Sequence, residues 1–139
     1  MNDQRFSASV HIMTVLAFHK DEKMTSEQLA ESIRTNPTVV RRLLAKLAEA
    51  GLLESFKGKA GGVLLAKPPK EITLKDIYMA TTTDKKLICT SEKEPTKSCL
   101  VSCNMKEIMA DVIEGFEDHS MVYLAKIRLS DLTSKVSKT

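Results

Sequence analysis

Three cysteines, Cys89, Cys99 and Cys103, are spaced C-x9-C-x3-C in a chain of 139 residues. Thiolates are soft ligands, and three of them with one outside donor are enough to hold an iron–sulfur cluster. Cys99 and Cys103 are also close enough in sequence to pass through a sulfenic acid to a disulfide. Lys97 and Lys106 lie near them, and a helix starting beside Cys103 would favour its thiolate. The plainer reading is that the sulfurs pack beneath a loop, as free cysteines often do. Spacing leaves these three readings open. His11, His19 and His119 stand apart from one another and supply no clear fourth ligand, so any metal is unknown at this level. An odd cysteine count argues against a disulfide scaffold and points to a reducing, cytoplasmic setting.

A second set of residues suits a different chemistry. Arg41, Arg42, Lys57 and Lys59 fall in a segment, 36–70, with seven Lys and Arg against two Asp and Glu, although the whole chain carries only +3. Residues 1–70 carry a net +4 and residues 71–139 a net −1. Such concentration is the footprint expected for contact with phosphates. Arginine can also pair bidentately with guanine O6 and N7, while lysine acts as a point charge. A charge run is most often a solvated face, so the elements that carry it decide the matter.

Those elements can be read from spacing. Asn36 is a good helix N-cap and Pro37 suits the first helical position, where no N–H partner exists anyway. Val40, Leu43, Leu44 and Leu47 recur at helical spacing and mark a buried face, with Arg41, Arg42 and Lys46 on the others. Gly51 stops the helix by taking a left-handed backbone. Before it, Thr25 with Gln28 forms a capping box for a short helix whose buried face is Leu29, Ala30 and Ile33. Two helices joined by Arg34 and Thr35, the second one basic, make a helix-turn-helix. Leu52–Phe56 and Val63–Ala66 read as strands about the tip Lys57-Gly58-Lys59-Ala60-Gly61-Gly62. A basic helix followed by a basic hairpin outlines a winged helix. In that frame Asn36, Thr38, Val39, Arg41 and Arg42 lie nearest the major groove of double-stranded DNA, and Lys57 and Lys59 reach the minor groove or its phosphates.

The rest of the chain supplies a scaffold. Phe6, Val10, Met13, Leu16 and Ala17 mark a first helix over 4–19, and Thr73 caps another after Pro68-Pro69. Residues 82–102 read as a polar loop interrupted by Pro95, and a loop of that length is usually functional or disordered. From Cys103 to about Arg128 the spacing predicts a long helix. Its apolar stripe, Met105 to Ile127, runs roughly 35 Å at 1.5 Å per residue, more than one small domain can cover. A second copy of the same helix is the expected cover, with Met109, Val112 and Phe116 at the centre of a homodimer interface. The alternative is that the helix folds back as core. The fold class expected is therefore mainly α with a small β-hairpin. A winged helix-turn-helix spans 1–81, a cysteine-containing sensor loop 82–102, and a dimerisation helix with its tail 103–139.

These pieces together resemble the Rrf-two family of bacterial winged-helix transcription regulators, which includes iron–sulfur-cluster, nitric-oxide and cysteine regulators. The resemblance is carried by Leu29-Ala30-Glu31-Ser32, Val39 to Leu44, Ala50-Gly51-Leu52-Leu53, Gly58-Lys59-Ala60-Gly61-Gly62, Leu65-Ala66-Lys67-Pro68 and Glu71-Ile72-Thr73-Leu74-Lys75-Asp76-Ile77-Tyr78, and by cysteines just before a long helix. It implies a homodimer on a near-palindromic operator, most often a repressor. Cluster-binding members resemble C-x5-C-x5-C or C-x5-C-x7-C; here the overall span is similar and the middle cysteine is displaced. The segment Cys99 to Met105 also resembles the stretch where cluster-free members keep a single cysteine.

Other classes are weakly supported. No apolar run approaches the twenty residues of a membrane span, and the N-terminus lacks a signal-peptide layout. The glycine-rich tip lacks the G-K-[ST] ending of a phosphate-cradling loop, and no His-Glu zinc pattern or triad is present, so an enzyme is not expected. A winged-helix protein-interaction module is the remaining alternative. It would present apolar or mixed residues where this chain has Arg41, Arg42 and Lys46.

Overall fold

The structure, a computed structural model, describes residues 4–82 and 93–136. Helix α1 (Arg5–Phe18) lays Ile12, Met13, Leu16 and Ala17 into the core. Helix α2 (Ser26–Ile33) starts at the capping box expected for Thr25: the Gln28 N–H donates to Thr25 Oγ1 at 3.2 Å, and the Thr25 N–H to Gln28 Oε1 at 2.8 Å. Arg34, in the left-handed region at φ 65°, ends it. Helix α3 (Pro37–Glu49) follows at once, with Asn36 Oδ1 accepting the Thr38 N–H at 2.8 Å. Its far end is a Schellman motif. Gly51, at φ +80°, lets its own N–H reach Ala48 O and the Leu52 N–H reach Leu47 O.

The wing is an antiparallel pair, β1 (Leu53–Phe56) and β2 (Gly62–Leu65), with Leu53 opposite Leu65 and Phe56 opposite Gly62. Two of the three tip glycines, Gly61 and Gly62, are required by space. A Cβ on Gly61 would lie 2.5 Å from Phe56 O, and one on Gly62, already at φ +143°, 2.8 Å from Met24 O. The close approach at Gly62 exists because Met24 and Val63 exchange backbone hydrogen bonds and tie the hairpin to the entrance of α2. Lys23 Nζ adds a contact 4.3 Å from the Phe56 ring centroid. The wing therefore moves with the helix-turn-helix and not as a free loop.

Helix α4 (Leu74–Thr81) is capped by Thr73 and Asp76, and buries Leu74, Ile77 and Thr81. Helix α5 (Leu100–Ala125) is the long one. It begins three residues before the expected Cys103, with Cys99 as its N-cap, so 100–102 are helical and not loop. It also stops short of Arg128. The chain turns, and backbone hydrogen bonds Leu74 N–H to Ile127 O and Leu129 N–H to Ile72 O clamp it against the entrance of α4. A further helix, α6 (Leu129–Thr133), then buries Leu129 completely. Helix α6 is thus part of the winged domain's core and not only the tail expected from the sequence. Full burial of a Leu such as Leu29, Leu47 or Leu129 contributes about 1.5–3 kcal/mol.

Candidate nucleic-acid interface

Helix α3 turns about 100° per residue. With Val40, Leu43, Leu44 and Leu47 buried, the residues on the opposite side are Thr38, Arg42 and Ala45, with Glu49 about two turns beyond Arg42 at the end of the helix. Thr38 and Arg42 are exposed, and Arg42 makes no ion pair with a described residue. Val39 is 42 % exposed on one flank, an apolar surface of the kind that meets a thymine methyl. Asn36 sits at the entrance of the helix with its carbonyl oxygen committed to the cap, which leaves its amide N–H groups for a ligand.

Arg41 occupies the other flank, toward α2. Its Nη2 donates to Glu27 Oε1 at 2.8 Å. The two arginines expected nearest the major groove are therefore separated: Arg42 projects from the centre of the exposed face, and Arg41 lies in a cleft of about 420 Å³ between the start of α2, α3 and the wing. Glu27 was not found from sequence. The pair spans fourteen residues across a helix turn, and nothing in the spacing of either helix announces it.

Lys57 and Lys59 are both exposed at the hairpin tip, and Lys59 lines the same cleft as Arg41. The hairpin thus carries Lys59 on the side of α3 that bears Arg41. Replacing both by Ala is expected to flatten the salt dependence of DNA binding by about two units of slope, since each phosphate neutralised adds about 0.9. Titrations at four salt concentrations read this directly, and an unchanged slope would remove the wing from the interface.

The cysteines are placed only in part, because Cys89 lies outside the described residues. Cys99 and Cys103 are exposed at the first turn of α5. Cys99 Sγ accepts the Ser102 N–H at 3.4 Å, and the Cys103 N–H donates to Cys99 O at 3.0 Å. The position facing the helix N-terminus is therefore Cys99, with Cys103 a full turn inside, the reverse of the sequence expectation. Cys103 Sγ approaches Thr96 O and Lys97 O. Among the described residues no group of three or more His, Cys, Asp and Glu converges as a metal site.

Helix α5 buries none of its 26 residues in the single chain. Met105, Ile108, Val112 and Phe116 are 40–54 % exposed and recur at spacings of three and four, a single stripe. Met109 and Ile113 are half-buried. The expected stripe does not continue uniformly to Ile127. Leu124 and Ile127 pack on the winged domain's own core, while Phe116 and Tyr123 line an apolar groove of about 390 Å³ with Phe6 and Tyr78. No described helix is long and apolar enough to cross a membrane.

Comparison with known proteins agrees with this geometry. The family model described as Rrf2, iron-dependent transcriptional regulator, matches residues 2–135. YwnA of Bacillus subtilis, which carries the name of an HTH-type transcriptional regulator, is 31 % identical over 132 residues, covering 95 % of this chain and 96 % of that one. The HTH-type transcriptional regulator NsrR of Shouchella clausii is 26 % identical over 111 residues, covering 78 % and 74 %. The solved structure of CymR, described as the global cysteine regulator of B. subtilis, superposes with a TM-score of 0.70 at 21 % identity over 99 % of this chain and 98 % of that chain, a likeness of fold. A basic helix-turn-helix, a tethered wing and a long external helix, matched from residue 2 to 135, place this chain in the Rrf2 family of transcriptional regulators; it is not an enzyme.

Proposed function

We propose that the chain is a homodimeric, sequence-specific DNA-binding repressor of the cytoplasm whose grip on its operator is changed by oxidation of Cys99 and Cys103. Residues 1–81 form the DNA-binding unit, 82–102 the sensor segment and 103–139 the dimerisation helix with its return into the domain. The observation that carries the DNA reading is the exposed face of α3. Thr38, Val39 and Arg42 stand there without apolar cover, beside a hairpin that adds Lys57 and Lys59. A protein-interaction module would expose a mixed or apolar face on that helix. Thr38, Val39, Arg42 and Asn36 are assigned to base edges at the centre of the major groove, Arg41 to its flank, and Lys57 and Lys59 to the minor groove or its phosphates.

The dimer reading rests on α5. A stripe of Met105, Ile108, Val112 and Phe116 left to water would be an unusual cost for a soluble regulator, and a second copy of the helix covers it symmetrically. Met109, Val112 and Phe116 are assigned to that interface. Two winged domains joined this way meet two half-sites of an operator about 34 Å apart.

The sensor reading rests on the first turn of α5. Peroxide oxidises one thiolate to sulfenic acid with release of hydroxide, and the second thiol displaces water from it to give the disulfide; two electrons pass from the sulfurs to the peroxide. Residues four apart on a helix hold their Cβ atoms roughly 5–6 Å apart. A disulfide needs about 3.5–4.5 Å. Closure therefore breaks the Cys103 N–H bond to Cys99 O and the Ser102 N–H cap. The unwound turn lies at the head of the dimer helix, where it alters the spacing of the two winged domains. Mild peroxide is expected to weaken operator binding and to lower the mass by two hydrogens, with reductant reversing both. Cys103→Ser should lose the response. A Cys103→Ser protein that responds like the parent sinks the thiol switch and leaves the DNA reading untouched.

A further inference from the structure

The Arg41–Glu27 pair is out of proportion to any structural need. Both side chains are more than half exposed, at 56 % and 63 %. Exposed ion pairs contribute little to stability. The packing of α2 on α3 is carried instead by Leu29, Ala30, Val40 and Leu44. Yet Glu27 is held in place. It stands in the first turn of α2, where its own backbone N–H hydrogen bond, and then Arg41, keep its carboxyl below the usual carboxylate range. The group is therefore ionised throughout the range in which DNA binding is measured.

Its surroundings give the pair a meaning. The cleft that holds it is lined by Arg41 and Lys59, and by Thr25 and Ser26 at the start of α2. On the DNA-binding reading, this cleft faces the phosphate backbone beside the groove entered by α3. A phosphate entering it meets two cations and one carboxylate that already occupies one of them. We propose that Glu27 is a positioning residue for Arg41 and a determinant of DNA specificity: its carboxylate withholds the guanidinium from phosphates on random DNA and fixes its plane for a base on the operator. The inference rests on the DNA-binding reading of α3.

The chemistry on both kinds of DNA follows from donor counting. Arginine has five N–H donors in a rigid fork, and Glu27 takes one from Nη2. On random duplex nothing else is in register, so the pair stays closed and the carboxylate repels the backbone. Arg41 then adds nothing to the non-specific attraction. On the operator the remaining N–H groups meet an acceptor such as guanine O6 or N7, and a guanidinium already held in one orientation loses less freedom on binding. Specificity is the difference between these two affinities, so a carboxylate that weakens the first sharpens the whole.

Four proteins test this: the parent, Glu27→Gln, Arg41→Ala and the double variant. Each is titrated by fluorescence anisotropy against an operator duplex, obtained by selection from random sequence, and against a random duplex at several salt concentrations. Both side chains are exposed, so folding is expected to be retained, and thermal unfolding checks it. Glu27→Gln is expected to tighten binding to random DNA roughly 3- to 10-fold at low salt and to steepen its salt slope by about one unit, as Arg41 is released to a phosphate. Operator binding should stay level or weaken, so the specificity ratio falls. In the Arg41→Ala background the same substitution should leave the ratio unchanged. An unchanged ratio in Glu27→Gln overturns the proposal. So does an equal fall in the Arg41→Ala background, because the carboxylate would then act on DNA directly. A parent that binds neither duplex overturns the DNA-binding reading and this proposal with it; a parent that binds while Glu27→Gln changes nothing overturns this proposal alone.

Discussion

Val112→Glu is expected to convert the protein to a monomer at micromolar concentration and to cost operator affinity on the order of 10²–10³-fold. The size follows from burying a carboxylate without a partner, about 3–5 kcal/mol. Two-fold symmetry makes matters worse, since each variant helix brings its own carboxylate to the same interface. Val112 is well suited to this experiment because it is 54 % exposed in the single protomer, in a helix with no buried residue. The winged domain keeps its core of α1, α3, α4 and α6, so the thermal transition should survive even as the dimer is lost. Light scattering reports the mass, and anisotropy on the operator reports binding. A variant that remains dimeric would show that the interface uses a face of α5 other than that of Met109, Val112 and Phe116. A monomer that binds the operator as tightly as the parent would separate DNA recognition from assembly altogether.

Arg42→Ala is expected to weaken operator binding by roughly 1–3 kcal/mol per half-site, about 5- to 150-fold, and random DNA by far less. Arg42 is favoured over Arg41 on geometry. It lies directly opposite the buried Val40–Leu47 face and pairs with no described acidic group, whereas Arg41 is drawn to the flank by Glu27. Its loss removes a potential bidentate contact with guanine from the centre of the reading face. Selection experiments with the variant should show relaxed preference at one position in each half-site. Equal weakening on both DNAs would reassign Arg42 to a phosphate.

The features legible in the sequence were those fixed by local physics. Thr25 with Gln28, Asn36 with Pro37, Gly51 and Thr73 are stereochemical signals that act within a few residues, and each appears where expected; the Asp76 half of the Thr73 cap came only with the fold. The wing turn was readable because Gly61 and Gly62 are demanded by close approaches that few residues tolerate. What escaped depends on contacts distant in sequence. The return of the chain after Ala125 is set by hydrogen bonds from Leu74 and Leu129 to residues more than fifty positions away, so Leu129 looked like part of a tail. The start of α5 was misplaced because Cys99 is an uncommon cap, and the preference for Ser, Thr, Asp and Asn gave no reason to begin a helix there. Glu27 carries no signal in the sequence, because only the fold brings Arg41 beside it. The charge count located the reading surface to a segment; only the fold divided it between Arg42, Arg41 and the wing lysines.

The central claim, that this is a two-fold, sequence-reading DNA-binding protein, is tested most directly by selecting binding sites in vitro from a pool of random-sequence duplexes with the purified full chain. The geometry predicts enrichment of an inverted repeat whose half-sites are centred about one helical turn apart, near 34 Å, with the preference lost in Arg42→Ala and the repeat lost in Val112→Glu. A pool that shows no enriched sequence after repeated rounds at moderate salt would contradict it.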